Sequence, residues 1–205
     1  LAAAGTGKLD AGGGTFHVNG QIGAAKDAIL RLENGTFNIY AESINDAGGT
    51  LELACSTVRM GYKKNAATQN IGGTLSIANN LTLIAQQGNP QQYQGMTFNI
   101  NHLHIDNCKL TLEVPTSEFW HVYNIASLTG AGTLHWMNNM GWHQTGTARM
   151  VLTGDNDYSG ALIVDQKNNA GSIQHVSLAH ENAAKNMVIN LWGDENSRPG
   201  LAIST

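Results

Sequence analysis

Apolar side chains along this chain keep to alternate positions for four or five residues and then change parity. Between Thr97 and Val114 the sequence reads TFNI, NH, LHI, DN, CKLTLEV. Phe98 and Ile100 share one parity, Leu103 and Ile105 the other, and Leu110, Leu112 and Val114 return to the first. Successive side chains of a strand point to opposite faces, so each change of parity marks a corner. The corners fall at Asn101-His102 and Asp106-Asn107, residue types suited to tight or left-handed backbone. The pattern predicts three short strands around a triangular turn of about 20 residues. The segment 73–85, GTLSI, ANN, LTLIA, repeats two of the three sides.

A Gly-Thr or Gly-x-Thr step opens many of these units, with threonines at 15, 36, 50, 74, 97 and 133. Three of the five gaps lie between 21 and 24 residues. A unit this small cannot bury its own apolar row, whereas stacked units share a continuous core. The expected fold is therefore all-β, a right-handed parallel β-helix of roughly nine coils, about 40–45 Å long at the usual strand spacing. Residues 1–205 read as one domain, since no linker or charge run divides them, and both ends read as cut from a longer repeat protein. The rival is an antiparallel sandwich or barrel, for which Asn19-Gly20 and Asn34-Gly35 are hairpin signals. The stretch 24–35, AAKDAILRLENG, fits a helix closed by Asn-Gly, but a strand with Leu30 and Leu32 inward is preferred.

Two Leu-Thr-Gly steps 24 residues apart sharpen the picture: SLTGAGTLHW at 127–136 and MVLTGDNDYSGALIV at 150–164. This segment resembles the autotransporter-associated β-strand repeat. Gly130, Gly132, Thr133 and Leu134 match its first part, and Leu152, Gly154, Asn156, Tyr158, Ser159 and Gly160 its second. The match covers about 37 of 205 residues. It departs from the pattern in the aromatic connection MNNMGWHQTG and in Ala161-Leu162, where the family has Gly-Thr. The resemblance implies a passenger region of a Gram-negative surface or secreted protein, located at the outer membrane or beyond. Physically, glycine permits positive φ at corners, and stacked Asn side chains form hydrogen-bonded ladders there. Tyr158 is expected to lay its ring over a corner with its hydroxyl at the wet edge.

Charged residues make up 13% of the chain, against roughly 25% in ordinary domains. The net charge is −4 and the 11 basic residues are scattered, which argues against nucleic acid as a partner. No apolar run approaches the length of a membrane span, so any membrane contact is expected through parts outside this sequence. GTGKLD at 5–10 has the wrong spacing for a phosphate loop, and no Ser stands in a Gly-x-Ser-x-Gly elbow.

Three clusters carry candidate chemistry. His102, His104 and Asp106 alternate on one strand, an outward face that could hold zinc, although Asp106 can already lie in the corner. The second is aromatic: Phe119, Trp120, Tyr123, Trp136 and Trp142, with His121, His135 and His143 interleaved. Outward, Trp120, Tyr123, Trp136, Trp142 and His143 would form a stacking platform for sugars or a protein partner; inward, the rings fill an enlarged coil. Third, Asp155 and Asp157 are the nearest acid pair for glycan cleavage, with Arg149 nearby, but a turn explains them. Cys55 and Cys108 share parity with core leucines and are expected to be free buried thiols. The expected function is a non-enzymatic stalk or adhesive passenger segment without a cofactor, binding host or environmental glycans or proteins. The alternative is a carbohydrate-binding or carbohydrate-cleaving β-helix.

Overall fold

The computed structural model describes all residues except 42, 62–67, 86–95, 115–120, 140–148, 167–174, 194–199 and 204–205. Among the described residues there is no α-helix, and every strand pair is parallel. Successive segments stack as a β-solenoid with three sides. An eight-stranded sheet forms one side, running in strict chain order from Thr15–Val18 to Val188–Gly193. The other two sides meet within the long strands Thr68–Ile77 and Met96–Ile105, whose pairing shifts register between Ile71 and Thr74. That shift is the corner read from the parity change at Asn101-His102. The next corner turns at Asn107, whose φ of 53° is left-handed.

The interior is built from columns of like residues one coil apart. Ile44, Ile71, Ile100, Ile125 and Leu152 stand in register on the first side. Leu30, Leu51, Leu75, Leu103 and Leu128 do so on the second. All of them are buried, and they join one continuous core. Fully burying each such side chain contributes about 1.5–3 kcal/mol relative to exposure. At the C-terminal rungs the same inward rows emerge uncovered, Leu191 at 47% and Ile203 at 73% exposure. On the outer face of the eight-stranded sheet, Thr15, Thr36, Thr57, Thr82 and Thr111 form a column of their own.

The stretch 24–35 is a strand where preferred, Ile29–Glu33, with Leu30 and Leu32 inward and Arg31 and Glu33 outward. The Asn-Gly pairs make no hairpin. Asn34 (φ 55°) instead turns a corner between Ile29–Glu33 and Thr36–Tyr40, which belong to different sheets.

Glycine at the corners is a matter of space as much as of torsion. At Gly130 φ is +100°, and an added Cβ would stand 2.0 Å from the Ile105 carbonyl of the coil beneath. Gly160 lies as close to the Gly132 carbonyl, at 2.1 Å. In the Gly-Thr steps, Gly49 and Gly73 come as close, 2.1 Å from the Ala25 carbonyl and 2.3 Å from the Gly49 carbonyl, so these steps mark where one coil's backbone rides directly on the next.

The Tyr-Ser-Gly element requires a correction. Tyr158 is wholly buried, and its hydroxyl donates to the Gly132 carbonyl at 2.7 Å rather than to water. Burial pushes that phenol well above its ordinary range. Asn156 is also interior: its Oδ1 accepts from the Leu128 N–H at 2.7 Å, and its Nδ2 donates to the Ala183 carbonyl at 3.0 Å. It thus ties three coils together. Asn45 has the same role near the other end, accepting from the Ala24 N–H and donating to the Gly49 carbonyl at 2.7 Å.

Candidate functional site

Two of the expected platform residues, Trp136 and Tyr123, face inward. Trp136 is 1% exposed and Tyr123 not exposed at all. Phe98 stacks on Tyr123 with ring centroids 4.7 Å apart, and Tyr123 meets the edge of Trp136 at 5.5 Å. These three rings fill the interior from two sides of the solenoid. The physical reason is alternation: Trp136 shares the inward parity of Leu134, and Tyr123 that of Ile125. Phe119, Trp120, Trp142 and His143 lie outside the described residues.

His121 is buried beside this plug. Its Nδ1 accepts from the Met96 N–H at 3.4 Å, and desolvation drives its pKa down to about 4. His135 faces Asp165, with Nε2 3.4 Å from Oδ2.

The zinc set does not assemble. His102 Nε2 and His104 Nδ1 both approach the Thr129 hydroxyl, at 2.8 and 2.9 Å. One hydroxyl donates to one ring and accepts from the other, which ties both rings to the coil above. Partial burial and the neighbouring His104 lower the pKa of His102. Asp106 is exposed past the corner, and among the described residues no three His, Cys, Asp or Glu side chains are placed to hold a metal ion.

Asp155 and Asp157 are exposed on the turn around buried Asn156, with Lys185 Nζ 4.0 Å from Asp155. Their environment is solvent rather than a cleft.

Both cysteines are free. Cys55 is buried as expected, and desolvation raises its thiol to about 11. Cys108 is only half-buried at the edge of the core, its Sγ donating to the Ile77 carbonyl. In the folded protein the Cys55 thiolate fraction at neutral pH is expected to be about a hundredfold below that of an ordinary thiol. An aromatic disulfide reagent should therefore leave Cys55 unmodified until denaturant is added. Labelling of Cys55 in native buffer as fast as a free thiol would contradict its burial.

One concavity among the described residues was not foreseen. A groove of about 380 Å³ runs across the corner between the first two sides. Its wall is a column of amides on the outward face: Asn70, Asn99 and Asn124. Asn99 Nδ2 donates to Asn70 Oδ1, and Asn124 Nδ2 donates to Asn99 Oδ1, each at 2.9 Å. Gly72, Asn101, Ala126 and Thr153 supply the corner positions of successive coils, and Asp46 closes one end. Asp46 itself accepts from the Ser43 hydroxyl. Asparagine stacking was anticipated at corners. It occurs here on a strand face, where the parallel register puts identical side chains one rung apart.

Replacing Asn99 by alanine removes both ladder bonds at once. The expected loss is about 1–3 kcal/mol of unfolding free energy, at 0.5–1.5 per bond. Urea denaturation measures it, and a loss below about 0.3 kcal/mol would mean that the ladder does not hold in solution.

Comparison with protein-family models, curated proteins and solved structures gave no match. The class of protein is thus defined by the fold alone: a parallel β-solenoid with an amide-lined groove on its outer face.

Proposed function

We propose that this chain is a non-enzymatic segment of a bacterial surface or secreted protein, a right-handed solenoid that serves as stalk and presents an adhesive face. One observation carries the reading. Among the described residues, the interior polar side chains and the clustered histidines hold the coils together, while the open groove is lined by amides that bind without reacting. Tyr158, Asn156 and Asn45 are spent on backbone carbonyls and N–H groups of neighbouring coils. His102 and His104 share Thr129, and Asp155 and Asp157 flank a turn. The resemblance of residues 127–164 to the passenger repeat supports a place on or outside a Gram-negative cell.

The alternative is a carbohydrate-active solenoid. Its binding half is favoured by the groove. Its cleaving half would need an acid pair facing a substrate, and among the described groove residues the only carboxylate is Asp46.

Beads coated with the purified protein test this reading. They should be retained on surfaces bearing polysaccharide or host cells, and the protein should release no new reducing ends from those polysaccharides. Loss of retention would remove the adhesive role. Release of reducing ends would make the protein an enzyme.

A further inference from the structure

The chemistry of the groove specifies what it holds more narrowly than adhesion does. An asparagine side chain offers two N–H donors and a carbonyl with two acceptor sites. The ladder uses one donor of Asn99 and one of Asn124, and one acceptor site each on Asn70 and Asn99. Asn99 thus keeps one N–H and one lone pair directed away from its ladder partners. The bonds along the ladder also fix the amide orientations before any ligand arrives, which reduces the ordering cost of binding. The result is a preorganised row of paired donors and acceptors, repeating at the coil spacing of about 4.8 Å.

Paired donor and acceptor sites match hydroxyl groups, which both donate and accept. Among the described lining residues there is no Lys, Arg or His to offset an anionic ligand, and Asp46 repels one. The spacing separates the remaining polymers. Equivalent groups along an extended peptide recur about every 6.8 Å, out of step with the rungs. A pyranose unit, in contrast, advances its chain by about one rung, and in a β-1,4-linked chain alternate units, about two rungs apart, present the same hydroxyls.

We propose that this groove binds a linear, uncharged polysaccharide chain lying along the stacking direction, with Asn70, Asn99, Asn124 and Asn101 contacting its hydroxyls. Successive sugar units meet successive coils, and Ala126 and Thr153 leave the corner low enough for the chain to pass. This rests on the adhesive reading above and names its ligand class.

Two variants test it. Asn99→Ala removes the central amide. Ala126→Phe fills the groove from an exposed position that takes no part in the ladder. Isothermal titration uses cellohexaose, xylohexaose and mannohexaose as neutral probes, hexagalacturonate as the acidic probe, and a neutral extended heptapeptide.

The wild-type protein should bind at least one neutral hexasaccharide. Both variants should weaken that binding at least tenfold while retaining the wild-type circular dichroism spectrum. Ala126→Phe keeps the test valid if Asn99→Ala loosens the fold. Three results would overturn the proposal: no binding of any neutral probe, tighter binding of hexagalacturonate or the peptide, or unchanged binding in Ala126→Phe. If the coated beads adhere and Ala126→Phe beads adhere equally, the groove is not the binding site while the adhesive reading stands. If the hexasaccharide binds in the groove but the beads do not adhere, the proposal for the groove stands and the adhesive reading fails.

Discussion

Trp136→Ala is expected to lower the unfolding free energy by about 3–5 kcal/mol, the range for deleting a large buried ring. The side chain stands in register between Leu112 and Val164, one coil to either side, and its ring plane meets that of Tyr123 at 80°. A coil-spanning void would open in the interior, and the stacked backbones cannot close over it without breaking their shared hydrogen bonds. Trp192 provides the control. It is 62% exposed, so Trp192→Ala should change stability by no more than about 0.5 kcal/mol. Guanidinium denaturation of the two variants separates the cases. Equal, small losses would mean that Trp136 is outside the core.

Acid is expected to weaken the fold through His121. Its folded-state pKa of about 4 lies below the ordinary 6.5, because burial penalises the charged ring. The neutral form is therefore favoured by folding. The stability this represents is fully present above pH 6.5 and is lost as the pH falls from 6.5 towards 4. The difference corresponds to about 3 kcal/mol across that window.

Other groups respond elsewhere or less. Lys8 and Arg31 hold Glu33 below its ordinary value, so its contribution fades only below about pH 4.5. His102, half-exposed, shares the direction of His121 with a smaller effect. His121→Asn isolates the buried ring, since an amide oxygen can accept from the Met96 N–H and does not titrate. Urea midpoints measured from pH 7.5 to 4.5 should fall in the wild-type protein and stay nearly level in the variant. Parallel curves would remove His121 as the cause.

Much of the architecture was legible because strand alternation leaves a signature that survives irregular spacing. The parity changes in residues 97–114 located both corners, and Leu30 and Leu32 identified a strand in a stretch with helical propensity. The same rule placed Trp136 with Leu134 and Tyr123 with Ile125, so the inward reading of these rings was already written in their neighbours.

His102, His104 and Asp106 fail for the complementary reason. Alternation puts all three on one side only while the strand continues, and it ends at Ile105. Tyr158 was misplaced because nothing local shows that the Gly132 carbonyl, 26 residues away, will lie beneath its hydroxyl.

The asparagine groove was beyond reach for a related cause. Asn70, Asn99 and Asn124 are 29 and 25 residues apart, and unequal coil lengths hide their alignment until the pairing register is known. Ser43 and Val151 occupy the same column on either side, so no uniform motif announces it.

The claim under all of this is that consecutive segments run the same way and stack side chain on like side chain. Nuclear Overhauser spectroscopy on a methyl-labelled sample tests it most directly. Stacking predicts an unbroken chain of methyl contacts from Ile44 through Ile71, Ile100 and Ile125 to Leu152, with only parallel inter-strand backbone cross-peaks. Close Hα–Hα cross-peaks between Glu33 and Thr36 flanking Asn34-Gly35, with no contact from Ile71 to Ile100, would show hairpins in place of coils and contradict it.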